Sequence, residues 1–252
     1  MTIFMRACLM FGFLALTACG APKGLEVLPD LDLTQEGEER PGANEVSPNA
    51  DVLGQFVEPS EDLSTFALPP KYRHLDPQKQ IPPGLLSRAV AYFEANSRLI
   101  RNKNYLAVVD FAAHSAYKRF FIVNINTGAI WALNVAHGEG SDANNNGLLN
   151  TVSNVEGSRQ SSRGYAVTAE TYYGKYGRSL RMDGLSDTNS NMRDRAVVIH
   201  GSNYVHDREV QQGRSWGCLA VPMGQKERLV DLLAGGALIY SGISPENWTN
   251  IR

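Results

Sequence analysis

The sequence is poor in cysteine. Its 252 residues hold three, Cys8, Cys19 and Cys218, which excludes a disulfide-stapled scaffold. Beyond residue 20 there is no long apolar run, so nothing else in the chain reads as a membrane-spanning helix. An excess of basic charge is also lacking. The 24 Lys and Arg stand against 26 Asp and Glu, for a formal net charge of −2, and a nucleic-acid footprint is excluded. Histidine is scarce, with five in all, and His137, His200 and His206 do not fall into a zinc-ligand spacing. Neither a metal nor another cofactor is called for. No internal repeat is present.

What is there begins with an export signal. Arg6 is a short basic region, and Ala7 to Ala15 are apolar or small residues, too few to span a bilayer comfortably. The run ends in Leu16-Thr17-Ala18-Cys19, which resembles the lipobox of bacterial lipoproteins. That likeness implies a signal peptide over 1–18, with cleavage before Cys19 and lipidation of its thiol. Acyl chains would then anchor the protein to a membrane, each buried methylene adding about 0.8 kcal/mol. Gly20, where an aspartate would imply inner-membrane retention, leans the expected location to the outer membrane, with the protein facing the periplasm of the cell envelope. Residues 19–68, as in "DLTQEGEERPGANEVSPNADVLG", are rich in Glu, Asp, Pro, Gly and Asn and read as a flexible acidic tether, with room for a weak helix.

One ordered domain is expected over 69–252. Apolar residues Leu85, Leu86, Ala89, Val90, Phe93 and Leu99 recur at threes and fours behind Pro82 and Pro83, predicting an amphipathic helix from about Gly84 to Arg101. Six segments of β character follow: "YLAVVDF", "RFFIVNI", "AIWALNVAH", "GYAVTAE", "RAVVIHG" and "ALIYSGI". Asn126-Thr127-Gly128 predicts a hairpin between the second and third. A second helix is expected over Met223–Ala234, after Pro222. The fold class is mainly β, a sandwich or barrel with a helix before it and one packed late in the chain.

Once Cys8 leaves with the signal peptide and Cys19 is lipidated, Cys218 has no cysteine partner. It reads either as a small buried hydrophobe or as a nucleophile. "AVVIHG" ends a buried-type strand at His200, and Gly201 permits a sharp exit. A polar loop then returns the chain to "GRSWGC". Histidine is the natural base for a thiol, and it needs to be near in space rather than in sequence. Gly217 permits a tight turn that leaves backbone N–H groups, including that of Cys218, to face an oxyanion. The glycine-rich corner His137-Gly138-Glu139-Gly140-Ser141 reads as a surface loop or as a place of close backbone approach.

His200-Gly201 followed by Ser215-Trp216-Gly217-Cys218 resembles the signature of bacterial L,D-transpeptidases. With "GSRQSSRGYAVTAETYYGKYGRSLRMDGL" and "GRSWGCLAVP", it is similar to the murein L,D-transpeptidase catalytic-domain family over roughly residues 80–243. The resemblance implies a mainly β catalytic domain acting on peptidoglycan stem peptides. Cys218 would form a thioester at the third stem residue, and a second stem's amine would resolve it into a 3→3 cross-link. His200 would be the base, Ser215 an orienting hydrogen-bond partner, and Gly217 with Cys218 the oxyanion backbone. Gly201, Arg214, Trp216, Ser162, Arg163 and His137 are the expected substrate-contacting set.

Two positions depart from the family's habit: Trp216 replaces a histidine, and Ala220 stands where an arginine is usual. Arg214, Arg163 or Arg181 could supply the missing guanidinium for a carboxylate, or each could be a solvated surface charge. Tyr165, Tyr172, Tyr173 and Tyr176 fit either a groove or sheet packing. Two other functions remain open: hydrolysis of the same thioester, as an L,D-carboxypeptidase or amidase, and non-enzymatic peptidoglycan binding.

Overall fold

The computed structural model describes residues 47–59 and 67–245. The expected signal peptide, Cys19 and most of the tether lie outside the described residues.

The domain is built on one eight-stranded sheet with the spatial order β3-β2-β1-β8-β4-β5-β6-β7. The strands are β1 (Tyr105–Asp110), β2 (Phe120–Asn124), β3 (Ile130–Leu133), β4 (Gly164–Gly174), β5 (Gly177–Gly184), β6 (Val198–Ser202), β7 (Leu219–Pro222) and β8 (Leu238–Gly242). Pairing is antiparallel except at β1–β8 and β6–β7. The sheet curls until its two edges meet. Just past β3, Ala136 N donates to Ala220 O on β7 at 2.9 Å, Ser215 N donates to His137 O at 2.9 Å, and Glu139 N donates to Ser215 O at 2.7 Å. This is the mainly β, nearly closed barrel-like fold that the sequence predicts.

Both faces of β1 are covered. Ala107 and Val109 point into the barrel core with Phe120, Leu180 and Ile199, which α3 (Lys226–Leu233) closes with Leu229, Val230 and Leu233. Leu106 and Val108 point the other way, onto Leu85, Leu86, Val90 and Phe93 of α2 (Pro83–Ala95). Two-sided burial is why this strand reads as a continuous apolar run rather than an alternating one.

Helix α2 starts at the prolines, as predicted, but stops at Ala95 rather than Arg101. Asn96 ends it. Its Nδ2 donates to Tyr92 O at 3.0 Å and to Val57 O at 2.8 Å, while Val57 N donates to its Oδ1 at 2.8 Å. That grip corrects the tether boundary, because residues 47–59 lie on the domain. They include α1 (Ala50–Leu53). Asn49 is buried, donating to Asp183 Oδ2 at 2.6 Å and accepting from Arg101 Nη2 at 2.6 Å. Phe56 stacks on Tyr92. Polar composition suggested a tether, but these polar groups are spent on specific bonds.

Two strands escape the sequence reading. β5 carries Arg181 and Asp183, which burial ordinarily excludes. They are retained because Arg181 meets Glu170 at 3.0 Å, Arg193 bridges Asp183 at 2.5 Å, and Arg193 also reaches Glu170 at 2.9 Å. β7 is only four residues long.

Candidate active site

The parallel register of β6 and β7 sets Ile199 opposite Leu219 and His200 opposite Ala220. Cys218 therefore enters β7 beside the strand that carries His200, which runs on through Gly201 to Ser202 rather than ending at His200 as the sequence suggested. The turn delivering it is fastened by Ser215. The Ser215 hydroxyl donates to Cys218 O at 2.8 Å and accepts from Gly217 N at 3.1 Å. Gly217 has φ +115, and a Cβ there would lie 2.7 Å from Gln160 O. Only glycine fits that backbone without strain. Its N–H points to the Ser215 hydroxyl, which fixes the shape of the turn.

Cys218 is 1% exposed, and its thiol donates to Ala196 O at 3.6 Å. Ala196 holds φ +53, a left-handed conformation uncommon outside glycine, asparagine and aspartate. It ends the turn in which Arg195 N bonds Asn191 O and Ala196 N bonds Arg193 O. Strain of this kind collects where a fold must aim a particular group. Here the aimed group is the carbonyl that meets the sulfur.

His200 is equally buried, at 1% exposed. Its Nδ1 lies 3.1 Å from Gly201 O. A carbonyl only accepts, so Nδ1 carries the proton and Nε2 keeps the lone pair. The ring stacks on Tyr176, with centroids 4.3 Å apart. Burial pushes the imidazole down to about 4; the bond to Gly201 opposes this and the Lys226 charge adds to it. At neutral pH the ring is uncharged and able to accept a proton.

Residues 77–241 match the sequence profile of the L,D-transpeptidase catalytic domain. The chain belongs to that family. Three solved structures share likeness with it. An L,D-transpeptidase from Mycobacterium smegmatis is 12% identical, with 55% of this chain and 58% of that one covered at a TM-score of 0.35. The L,D-transpeptidase (residues 123–326) from Xylanimonas cellulosilytica is 13% identical, with 59% and 69% covered at 0.35. The helical cell shape determining protein Pgp2 from Campylobacter jejuni is 13% identical, with 58% and 51% covered at 0.36. The chain spans 58% of the length of the first of these. No curated protein matches it.

Within this L,D-transpeptidase domain the expected substrate-contacting residues separate. Trp216 lines a cleft of about 250 Å³ together with Arg159, Arg195 and Ala196, the residue whose carbonyl meets the Cys218 thiol. The Arg159 guanidinium lies 4.3 Å over the indole and bonds Glu139 at 2.5 Å. The other five lie elsewhere or are committed to the protein. Gly201 is buried, and a Cβ there would meet Lys226 Cδ and Met223 Sδ at 2.9 Å; its bare Cα makes room for the start of α3. Ser162 is 4% exposed, donating to Ser153 O at 2.9 Å and accepting from Arg195 at 2.5 Å. Arg163 lines a different cavity, with Arg88, Tyr240 and Asp187. Arg214 donates to Asp142 O at 2.5 Å, and Arg181 lies over Tyr172 beside Glu170.

His137 is a correction of a different kind. It is 1% exposed, and both ring nitrogens bond within the protein. Nδ1 accepts from the fully buried Arg119 at 2.9 Å, and Nε2 donates to Asp142 Oδ2 at 3.2 Å. Burial holds this imidazole at about 4. Although its own burial works the other way, bonds from His137, Asn146 and Gly147 hold Asp142 at about 2. His137 acts through its backbone, which brackets Ser215. The glycine-rich corner behind it is a close approach rather than a surface loop. A Cβ on Gly138 would lie 2.2 Å from Arg159 O, and one on Gly140 2.2 Å from Ser158 O.

On the other side of Ala196, a narrow slot is lined by Tyr172, Tyr176, Ser179 and His200. Of the four tyrosines singled out in the sequence, these two reach the site. Tyr165 is packed between Tyr92 and Tyr240, and Tyr173 is exposed. Sequence reasoning missed Arg195, Ala196 and Arg159. Arg159 lies within "GSRQSSRG" and Arg195-Ala196 open "RAVVIHG", but the first carries no sign of a role there and the second reads only as the start of a strand.

Proposed function

We propose that the domain is a cysteine acyltransferase of peptidoglycan, an L,D-transpeptidase forming 3→3 cross-links. What supports this reading is the match of residues 77–241 to the L,D-transpeptidase catalytic domain, together with a neutral His200 on β6 and a Cys218 at the head of the paired β7, its carbonyl held by the Ser215 hydroxyl. Cys218 Sγ attacks the carbonyl carbon of the third stem residue as its proton passes to His200. The bond to the terminal D-alanine breaks, and the leaving amine takes that proton. The side-chain amine of a second stem then attacks the thioester carbonyl, gives a proton to His200 and releases the thiol. Atoms and charges balance with no cofactor. Lipidation at Cys19 would hold this domain at the outer membrane, facing the wall.

The test is incubation of the purified protein with disaccharide-tetrapeptide, with products read by mass. Cross-linked dimer and free D-alanine are expected, and both vanish in Cys218→Ala. Tripeptide without dimer makes water the acceptor and the protein an L,D-carboxypeptidase. Unchanged substrate refutes the enzymatic reading.

A further inference from the structure

Arg195 closes around the cysteine turn. Nη1 donates to Ser153 O at 2.7 Å and Ser162 Oγ at 2.5 Å; Nη2 donates to Gln160 O at 2.6 Å and Ser158 Oγ at 3.2 Å. All four acceptors are neutral. Nη2 also lies 3.4 Å from where a side chain on Gly217 would begin. The next residue is Ala196, whose left-handed turn presents its carbonyl to the thiol. The segment therefore brings a partly buried guanidinium, bonded only to neutral oxygens, and an aimed carbonyl to the one nucleophile of the site.

We propose that Arg195 is the electrostatic partner of Cys218, holding the negative charge that forms on sulfur when the proton leaves for His200 Nε2. This rests on reading Cys218 as the nucleophile, but not on which acceptor resolves the thioester. A fixed cation in a poorly solvated setting favours a nearby anion far more than one in water does. Burial lowers the Arg195 guanidinium from its ordinary value, and the Cys218 charge acts in the opposite direction. The other charged or titratable groups around the pair do not supply this charge. His200 is neutral at rest, and Lys226 is turned to Tyr176 O and Glu227. Arg159 is paired with Glu139. Asp194 and Glu156, at the cleft mouth, are exposed and screened by water. Tyr172, Tyr176 and Lys175 lie on the slot side.

The experiment measures the rate of iodoacetamide alkylation of Cys218 against pH in the full-length protein. The S–C bond forms and iodide leaves. The wild-type rate should rise with a midpoint below about 8.5, the ordinary thiol value. Arg195→Gln should move that midpoint up by at least about one pH unit, roughly tenfold in rate at neutral pH. Arg195→Lys should restore most of the shift. Ser158→Ala removes one clamp bond and keeps the charge, so it should leave the midpoint unchanged. A wild-type midpoint at or above about 8.5 overturns the proposal even if Arg195→Gln does not fold. So does a Ser158→Ala shift as large as that of Arg195→Gln, which would make the role structural. Tetrapeptide processing is read separately. A protein that shows the alkylation shift but leaves tetrapeptide unchanged keeps Arg195 in this role and loses the transpeptidase reading.

Discussion

Mild acid should destabilise this domain far more than its carboxylates explain. His137 and His200 are both buried and held at about 4 when folded, against about 6.5 for an exposed imidazole. Between those values the unfolded chain binds protons that the folded one refuses, so stability falls as pH falls from 6.5 towards 4. At pH 5 each unfolded imidazole is almost fully protonated and each folded one about a tenth protonated, a difference of about 2 kcal/mol per residue. Together the two cost about 4 kcal/mol on moving from pH 7 to pH 5, a large share of the 5–15 kcal/mol typical of a domain. Asp142 adds nothing to this window, because its stabilisation is lost only as pH falls below about 3.8 towards 2. Urea unfolding at the two pH values measures the difference. His200→Gln should remove about half of the slope, since the His137 cluster does not touch it. A fall of less than about 1 kcal/mol between pH 7 and 5 would refute the claim that both imidazoles are buried and neutral.

Three further outcomes follow from the geometry. Gly217→Ala must place a Cβ 2.7 Å from Gln160 O at φ +115; the strain, about 1–3 kcal/mol, should leave a folded protein that no longer processes tetrapeptide, checked by circular dichroism beside the product assay. Ser215→Ala leaves Gly217 N–H without its acceptor in a buried turn and should lower unfolding free energy by about 1–3 kcal/mol in urea, while slowing alkylation of Cys218. Asn96→Ala removes all three of its bonds that cap α2 and hold residue 57, so limited proteolysis should cut near residues 54–59 in the variant before the wild type.

The sequence made legible those parts of the fold whose chemistry is local. The prolines before α2, the Asn126–Gly128 hairpin and the apolar strands declare themselves in a few adjacent residues, and so do His200-Gly201 and Ser215-Trp216-Gly217-Cys218. What stayed hidden depends on pairings distant in sequence. β5 looked polar because Arg181 and Asp183 find their counter-charges on β4 and in the turn after β5. Residues 47–59 looked like a tether because Asn49 finds Asp183 only after folding. Arg195 and Ala196 read as the start of the "RAVVIHG" strand, whereas a left-handed turn at Ala196 keeps them out of it and turns them to the cysteine segment. Conversely, His137 looked like a substrate contact because a histidine beside glycine suggests chemistry, whereas its ring is consumed by Arg119 and Asp142.

The bonds that join the barrel's two edges are the same ones that hold Ser215, and with it the cysteine turn. That seam links residues 136–139 to 215–220, a separation of roughly eighty residues, so it forms only after a long loop of chain has closed. The geometry around Cys218 therefore exists only once the two edges of the sheet have met. A nascent or partly unfolded chain carries an ordinary cysteine, and the reactive one comes into being only when the barrel is sewn shut. Among other thiols, a domain built this way stays chemically quiet until it is whole.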